Sequence, residues 1–153
     1  MRLWVRVATH EGRRREKLVR GMADFSIDHV GIAVKSLAAS KQIYERLGLS
    51  VSREEIVEQE QVRLVMVPVG EGRLELMEAT SENSTIAKFI ARRGEGLHHV
   101  CLKVQDLRGS VERLKRDGVR LVSEEIKIGA GGQQYVFVHP SSTGGVLLEL
   151  VQG

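Results

Sequence analysis

The sequence predicts an α+β protein built from two tandem βαβββ units, and three observations predict it. The first is an internal repeat. Ile27–Leu37 laid over Leu97–Leu107 matches His29 with His99, Val30 with Val100, Val34 with Val104 and Leu37 with Leu107, at an offset of 70 residues. At that offset Arg46 meets Arg116, Gly48 meets Gly118, and Glu54–Glu55–Ile56 meets Glu124–Glu125–Ile126. Leu74–Glu75–Leu76 recurs as Leu148–Glu149–Leu150 at an offset of 74, with the Gly-rich stretch Gly129–Gly132 absorbing the difference. The second observation is strand-like alternation at the start and end of each copy; the third is a capped helical stripe between them.

In order along the first copy, Val30, Ile32 and Val34 fall on one side of a strand, and His29, Gly31 and Ala33 on the other. Ser36 is placed to cap a short helix whose apolar stripe is Leu37, Tyr44 and Leu47, and Gly48 to end it in a left-handed conformation. The second copy repeats this with Asp106, the stripe Leu107, Val111 and Leu114, and Gly118. Three β-like runs complete each unit, at 49–56, 61–69 and 72–79, then at 119–126, 133–139 and 145–151. Pro68 and Pro140 fall near the ends of third strands, where a missing N–H is tolerated. Between the copies, Asn83 or Ser84 as cap, Ile86, Phe89 and Ile90 as a buried edge and Gly94 as a stop predict a linking helix. The repeats therefore span about 26–79 and 96–152 of one domain, 22–153.

Composition bounds the function. Apolar residues make up 42% and charged residues 28%, ordinary for a soluble globular chain. No window carries the roughly 18 apolar residues that a membrane span needs. Cys101 is the only cysteine, which excludes an intrachain disulfide and fits a reducing, cytoplasmic compartment. Residues 1–21 hold seven of the 23 basic side chains and two of the 20 acidic ones, leaving 22–153 with 16 against 18. The net charge of +3 thus belongs to a basic N-terminal extension, which argues against nucleic-acid binding by the folded unit. Within that extension Leu3, Val5 and Val7 alternate as an added edge strand would; alternatively, Met22 is the natural start.

A site follows from the alternation. His29 and Glu75 point away from the helix-packed side of their strands, and so do His99 and Glu149. A lone histidine or glutamate in a strand is ordinarily structural; recurrence of both types at matched positions is not. Two copies packed about a pseudo-twofold axis, their sheets curled face to face, bring the four together. Two imidazoles and two carboxylates suit a divalent ion such as Zn²⁺, Co²⁺, Ni²⁺ or Mn²⁺, with coordination left open for substrate oxygens. His98 is expected to face the opposite way and to pack, and Cys101 to act as a small filler thiol.

From about Ser26 to Gln152 the chain resembles the vicinal oxygen chelate superfamily, with its glyoxalase-type curved mixed sheet, and within it the methylmalonyl-CoA epimerase family. The segments IDHVGIAVKSL, STIAKFI, GEGLHHV and SEEIKIGAGGQQYVFVHPSSTGGVLLEL carry the resemblance, the last most specifically. It implies a Co²⁺ cofactor, a homodimer, an acyl-CoA substrate, and interconversion of (2R)- and (2S)-methylmalonyl-CoA. His29, His99 and Glu149 fall on the family's ligand positions; Glu75 stands where some members have Gln, giving the two-His, two-Glu set of glyoxalase I. Some epimerases place a proton-transferring Glu on the third strand of the first copy, where this chain has Leu64. Glu149 is then the first choice of base. Lys127 is a candidate second acid or carbonyl partner, and alternatively a solvated or CoA-phosphate-binding lysine. Leu64, Met66 and Phe137 are expected to keep the pocket dry. A glyoxalase-I-type lactoylglutathione lyase and a non-catalytic small-molecule-binding protein are the competing readings of the same fold.

Overall fold

The computed structural model describes residues 25–153; the expectations on Leu3, Val5, Val7 and Met22 lie outside the described residues. The elements are β1 (Phe25–Val34), α1 (Leu37–Arg46), β2 (Glu55–Val57), β3 (Val62–Val69), β4 (Gly72–Ala79), α2 (Thr85–Arg93), β5 (Gly96–Val104), α3 (Leu107–Arg116), β6 (Lys127–Ile128), β7 (Gln134–Val138) and β8 (Leu148–Gln152). This is βαβββ twice, with α2 as the link. The helix signals act as read. The Ser36, Ser84 and Asp106 side chains accept from the N–H groups of Ala39, Ala87 and Gly109, so Ser84 rather than Asn83 caps α2. Gly48 and Gly118 take positive φ just beyond α1 and α3, a conformation a Cβ disfavours.

One eight-stranded mixed sheet runs in the order β2-β3-β4-β1-β5-β8-β7-β6. Within each copy the first strand lies parallel to the last, β1 with β4 and β5 with β8; the copies join where β1 pairs antiparallel with β5. The convex face is covered by α1 and α3. Leu37 of α1 packs with Val34, Val65, Val67 and Leu76 of the sheet, and Leu107 and Val111 of α3 pack with Val104, Val136, Val138 and Leu150. The concave face carries Ala33, Val57, Val62, Leu64 and Met77 with Ile86 of α2, and, in the other half, Cys101, Tyr135 and Val151. No helix among the described residues is long and apolar enough to cross a membrane.

The second strand of each copy differs from expectation. Of the run 49–56 only Glu55 and Ile56 fall in a strand, β2, which extends to Val57; Leu49 and Val51 instead pack into the α1 core. Of the run 119–126 only Leu121 bridges, to Val138, and regular pairing begins at Lys127–Ile128. Alternating apolar residues there report burial beside a helix rather than ladder pairing, a distinction periodicity cannot make.

Candidate metal centre and its cavity

Four central strands build the site in two rows. Glu75 of β4 lies beside Gly31 of β1, which faces His99 of β5; His29 of β1 faces Cys101 of β5, which lies beside Glu149 of β8. Each row runs carboxylate, small residue, imidazole across three strands, and the pseudo-twofold axis exchanges the rows. The small residue decides whether the imidazole fits. A Cβ on Gly31 would overlap the His99 ring, standing 2.8 Å from Nε2 and closer still to Nδ1 and Cε1.

The four predicted side chains converge. His29 Nε2 and His99 Nε2 are 3.0 Å apart, and Glu149 Oε2 is 3.2 Å from the first and 3.0 Å from the second. Glu75 Oε2 lies 3.5 Å from His29 Nε2 and 3.6 Å from His99 Nε2. Ligand atoms about 2.1 Å from one ion stand about 3.0–3.4 Å apart. The separations among His29, His99 and Glu149 fit a shared divalent centre, and Glu75 stands just outside that range as a fourth donor. All four residues are no more than 9% exposed, and burying two carboxylates and two imidazoles without a counter-ion or mutual pairing would be costly.

The surroundings tune them. Burial alone would lower the His29 pKa, but the hydrogen bond to Glu149, the charge of Glu75 and the bond to Asp28 outweigh it and raise it to about 9. Burial would raise Glu149, yet hydrogen bonds from His29 and His99 bring it down to about 2, so this carboxylate is ionised. Burial pushes Glu75 up, against the opposing pull of both histidines. Asp28 Oδ2 accepts from His29 Nδ1 at 2.8 Å and is itself held by Arg73 and Lys103, which orients the ring with Nε2 toward the cluster.

The cluster opens into a cavity of about 520 Å³, walled in part by Leu64, Met66, Met77, Ile86 and Phe137. Leu64, Met66 and Phe137, expected to keep the pocket dry, are among its lining residues. Lys127 is exposed on β6 and is not among the cavity-lining residues, so the structure does not bring it to the cluster. His98 corrects an expectation. The β1–β5 register shifts between His99 and Leu97, and the resulting bulge turns His98 into the cavity wall, its Nδ1 3.0 Å from His99 Nδ1 and its ring edge-on to Phe89. Burial and the neighbouring His99 lower its pKa to about 4, which keeps it neutral. Strict alternation misses a bulge. Cys101 is fully buried beneath His29, the filler position expected, and burial pushes its thiol pKa up.

Residues 28–137 match the family model of the glyoxalase/bleomycin resistance protein/dioxygenase superfamily. The mitochondrial methylmalonyl-CoA epimerase of Homo sapiens is 38% identical over 128 residues, covering 82% of this chain and 73% of that protein. The chain belongs to the methylmalonyl-CoA epimerase family. The ethylmalonyl-CoA/methylmalonyl-CoA epimerase of Cereibacter sphaeroides is 36% identical over 82% of this chain and 96% of its own. A methylmalonyl-CoA epimerase solved in complex with methylmalonyl-CoA and NH4⁺ superposes with a TM-score of 0.80 at 34% identity, over 85% of this chain and 95% of that one. Against this family, Leu64 is 4% exposed and apolar on the cavity wall. Sequence reasoning overlooked Glu60 and Tyr135, which meet in the cavity with the Tyr135 hydroxyl donating to Glu60 Oε1 at 2.5 Å. Glu60 lies in a charged 3-10 turn, Glu58–Glu60, that reads as solvated, and neither residue has a chemically similar mate in the other copy.

Proposed function

We propose that the protein interconverts (2R)- and (2S)-methylmalonyl-CoA by metal-assisted proton transfer at C2. The observation that carries this reading is the convergence of His29, Glu75, His99 and Glu149 at one end of a largely apolar cavity, in a chain of the epimerase family. These four residues would hold the divalent ion, which when bound would polarise the thioester and carboxylate oxygens and stabilise negative charge developing on them. Co²⁺ is our choice of ion, with Zn²⁺, Ni²⁺ and Mn²⁺ as alternatives that the same donors accept.

The chain's own residues do the rest. Asp28 fixes the His29 ring, and Gly31 leaves room for that of His99. Leu64, Met66 and Phe137 exclude water, which strengthens every charge interaction inside. Glu149, ionised, buried and lining the cavity, takes the C2 proton. Lys127, exposed outside the cavity, is assigned to CoA phosphates rather than to C2. A cytoplasmic homodimer completes the reading; the lone, buried cysteine is compatible with a reducing compartment.

The test is to load the protein with Co²⁺, add one epimer in deuterium oxide and follow C2 by NMR. Loss of the C2–H signal with appearance of the other epimer is expected; persistence of C2–H overturns the reading. Because Glu75 completes the glyoxalase I donor set, a glutathione hemithioacetal belongs in a parallel assay, where no turnover is expected.

A further inference from the structure

Inverting C2 requires a proton to leave one face of the carbon and another to arrive on the opposite face, so proton-carrying groups are needed on two sides of the bound thioester. Glu149 supplies one. Among the described residues, the carboxylates lining the cavity are Glu55, Glu60, Glu75 and Glu149. Glu75 and Glu149 belong to the cluster. Glu55 is exposed and accepts the Gly131 N–H at 3.1 Å. Glu60 remains. It is half-buried and comes from the β2–β3 turn of the first copy, whereas Glu149 comes from the last strand of the second.

Its partner is equally specific. Tyr135 is 6% exposed, pairs with Val151 two residues along from the Phe137–Glu149 pair, and so shares the cluster's face of the sheet. Its ring stands edge-on to Phe137 at 5.6 Å. It also closes on Gly129, where a Cβ would stand 3.0 Å from the ring. The hydroxyl is thereby aimed at Glu60. Pairing registers make Tyr135 the pseudo-twofold mate of Leu64: Leu64 faces Met77 on β4 as Tyr135 faces Val151 on β8. The first copy's position is apolar and its mate carries the polar group that reaches Glu60.

We infer that Glu60 is the second proton-transfer group of the epimerisation, with Tyr135 as the residue that positions it; this rests on the epimerase reading above. In one direction the Glu149 carboxylate takes the C2 proton, and the C–H electron pair moves into the thioester carbonyl to form the enolate. The enolate carbon then takes a proton from the Glu60 carboxylic acid on its other face, leaving the Glu60 carboxylate. The reverse direction exchanges the two roles, and both acids return to their starting states by exchange with water.

The experiment follows each epimer separately in deuterium oxide with Co²⁺-loaded wild type, Glu60→Gln and Tyr135→Phe. Gln is isosteric and still accepts the Tyr135 O–H, so the fold and metal content of Glu60→Gln are expected unchanged. Epimerisation should fall by about 10²–10⁴-fold in Glu60→Gln, the usual contribution of a general acid or base. One epimer, the one whose C2–H faces Glu149, should still exchange C2–H for deuterium without inverting, while the other neither exchanges nor inverts. Tyr135→Phe should lower kcat about tenfold with KM within twofold and show the same one-sided exchange in weaker form. A wild type that inverts neither epimer overturns the epimerase reading and this inference with it. An active wild type matched by Glu60→Gln, or a Glu60→Gln that loses exchange of both epimers equally, overturns the assignment of Glu60 alone.

Discussion

At the scale of single residues, the site depends on small side chains as much as on the four buried imidazoles and carboxylates that converge there. Gly31 and Cys101 occupy equivalent positions of the two copies, each facing the histidine of the other. Gly31→Ala is therefore expected to displace the His99 ring and lower metal affinity by at least 10–100-fold, the range seen when a ligand's support is lost. Elemental analysis after dialysis, with circular dichroism as a check on folding, measures it; full metal content would show that His99 sits elsewhere. The histidines also make a pH prediction for the metal-free protein. His29 is raised from 6.5 to about 9, because the Glu149 bond, the Glu75 charge and the Asp28 bond together outweigh the opposing effect of burial. A raised base binds its proton more tightly in the folded state, so its stabilising contribution is complete below pH 6.5 and is lost as pH rises through about 9. Chemical denaturation of metal-free protein should thus show stability falling between these values, and His29→Gln should remove that slope. The four converging side chains were legible in the sequence because they recur at matched positions. Glu60, Tyr135 and His98 were not, since two are unmatched contributions to one cavity and the third depends on a bulge.

At the scale of elements, local chemistry was legible wherever one residue type has one conformational job. Ser36, Ser84 and Asp106 cap, and the glycines after α1 and α3 turn the chain. The second strands were not legible, because Leu49 and Val51 signal burial without saying whether the partner is a helix or a strand. One polar tie that adds to the apolar seating of α1 was not legible either. Glu78 of β4 accepts the Leu37 N–H at 2.7 Å and pairs with Arg63 of β3, tying the first turn of α1 to two strands. Burial would raise the Glu78 pKa, but the Arg63 bond, the Leu37 N–H and the Arg63 charge lower it overall. A lowered acid contributes stability above its unfolded value near 4.5 and loses it as pH falls through the folded value. Glu78→Gln should accordingly cost about 1 kcal/mol at pH 7, a typical hydrogen-bond contribution, with the difference from wild type shrinking in acid. Urea titrations at pH 7 and pH 3 measure it, and an equal deficit at both would mean that the charge is irrelevant. On α2, Ile86 is 2% exposed between the sheet and the cavity, and Ile86→Ala should cost about 2–5 kcal/mol by the same urea measurement.

At the scale of the whole molecule, the eight strands curl until the two ends of the sheet touch. The segment from β2 to the following turn reaches the segment from β6 to β7 through Glu55 to the Gly131 N–H, Gln59 to the Ile128 carbonyl and Glu60 to Tyr135. Residues of this contact (Glu55, Glu60, Gly131 and Tyr135) and of the cluster at the β1–β5 seam line the same cavity. Each copy contributes one imidazole and one carboxylate, so an ion bound there links β4, β1, β5 and β8 across the seam. Neither copy alone presents the set, and an unfolded chain presents none of it in register. Binding to the folded state alone stabilises it by RT ln(1 + [M]/Kd), about 2.7 kcal/mol at a hundredfold excess over Kd. For a chain of this length that should raise Tm by roughly 5–10 °C. Calorimetry of chelator-treated and Co²⁺-reloaded protein is the measurement, with His99→Gln as control. The wild type should shift and the variant should not, because its seam lacks one of four donors. A shift of equal size in both would place the ion outside the cluster, and no shift in either would leave the four buried groups paired with one another alone.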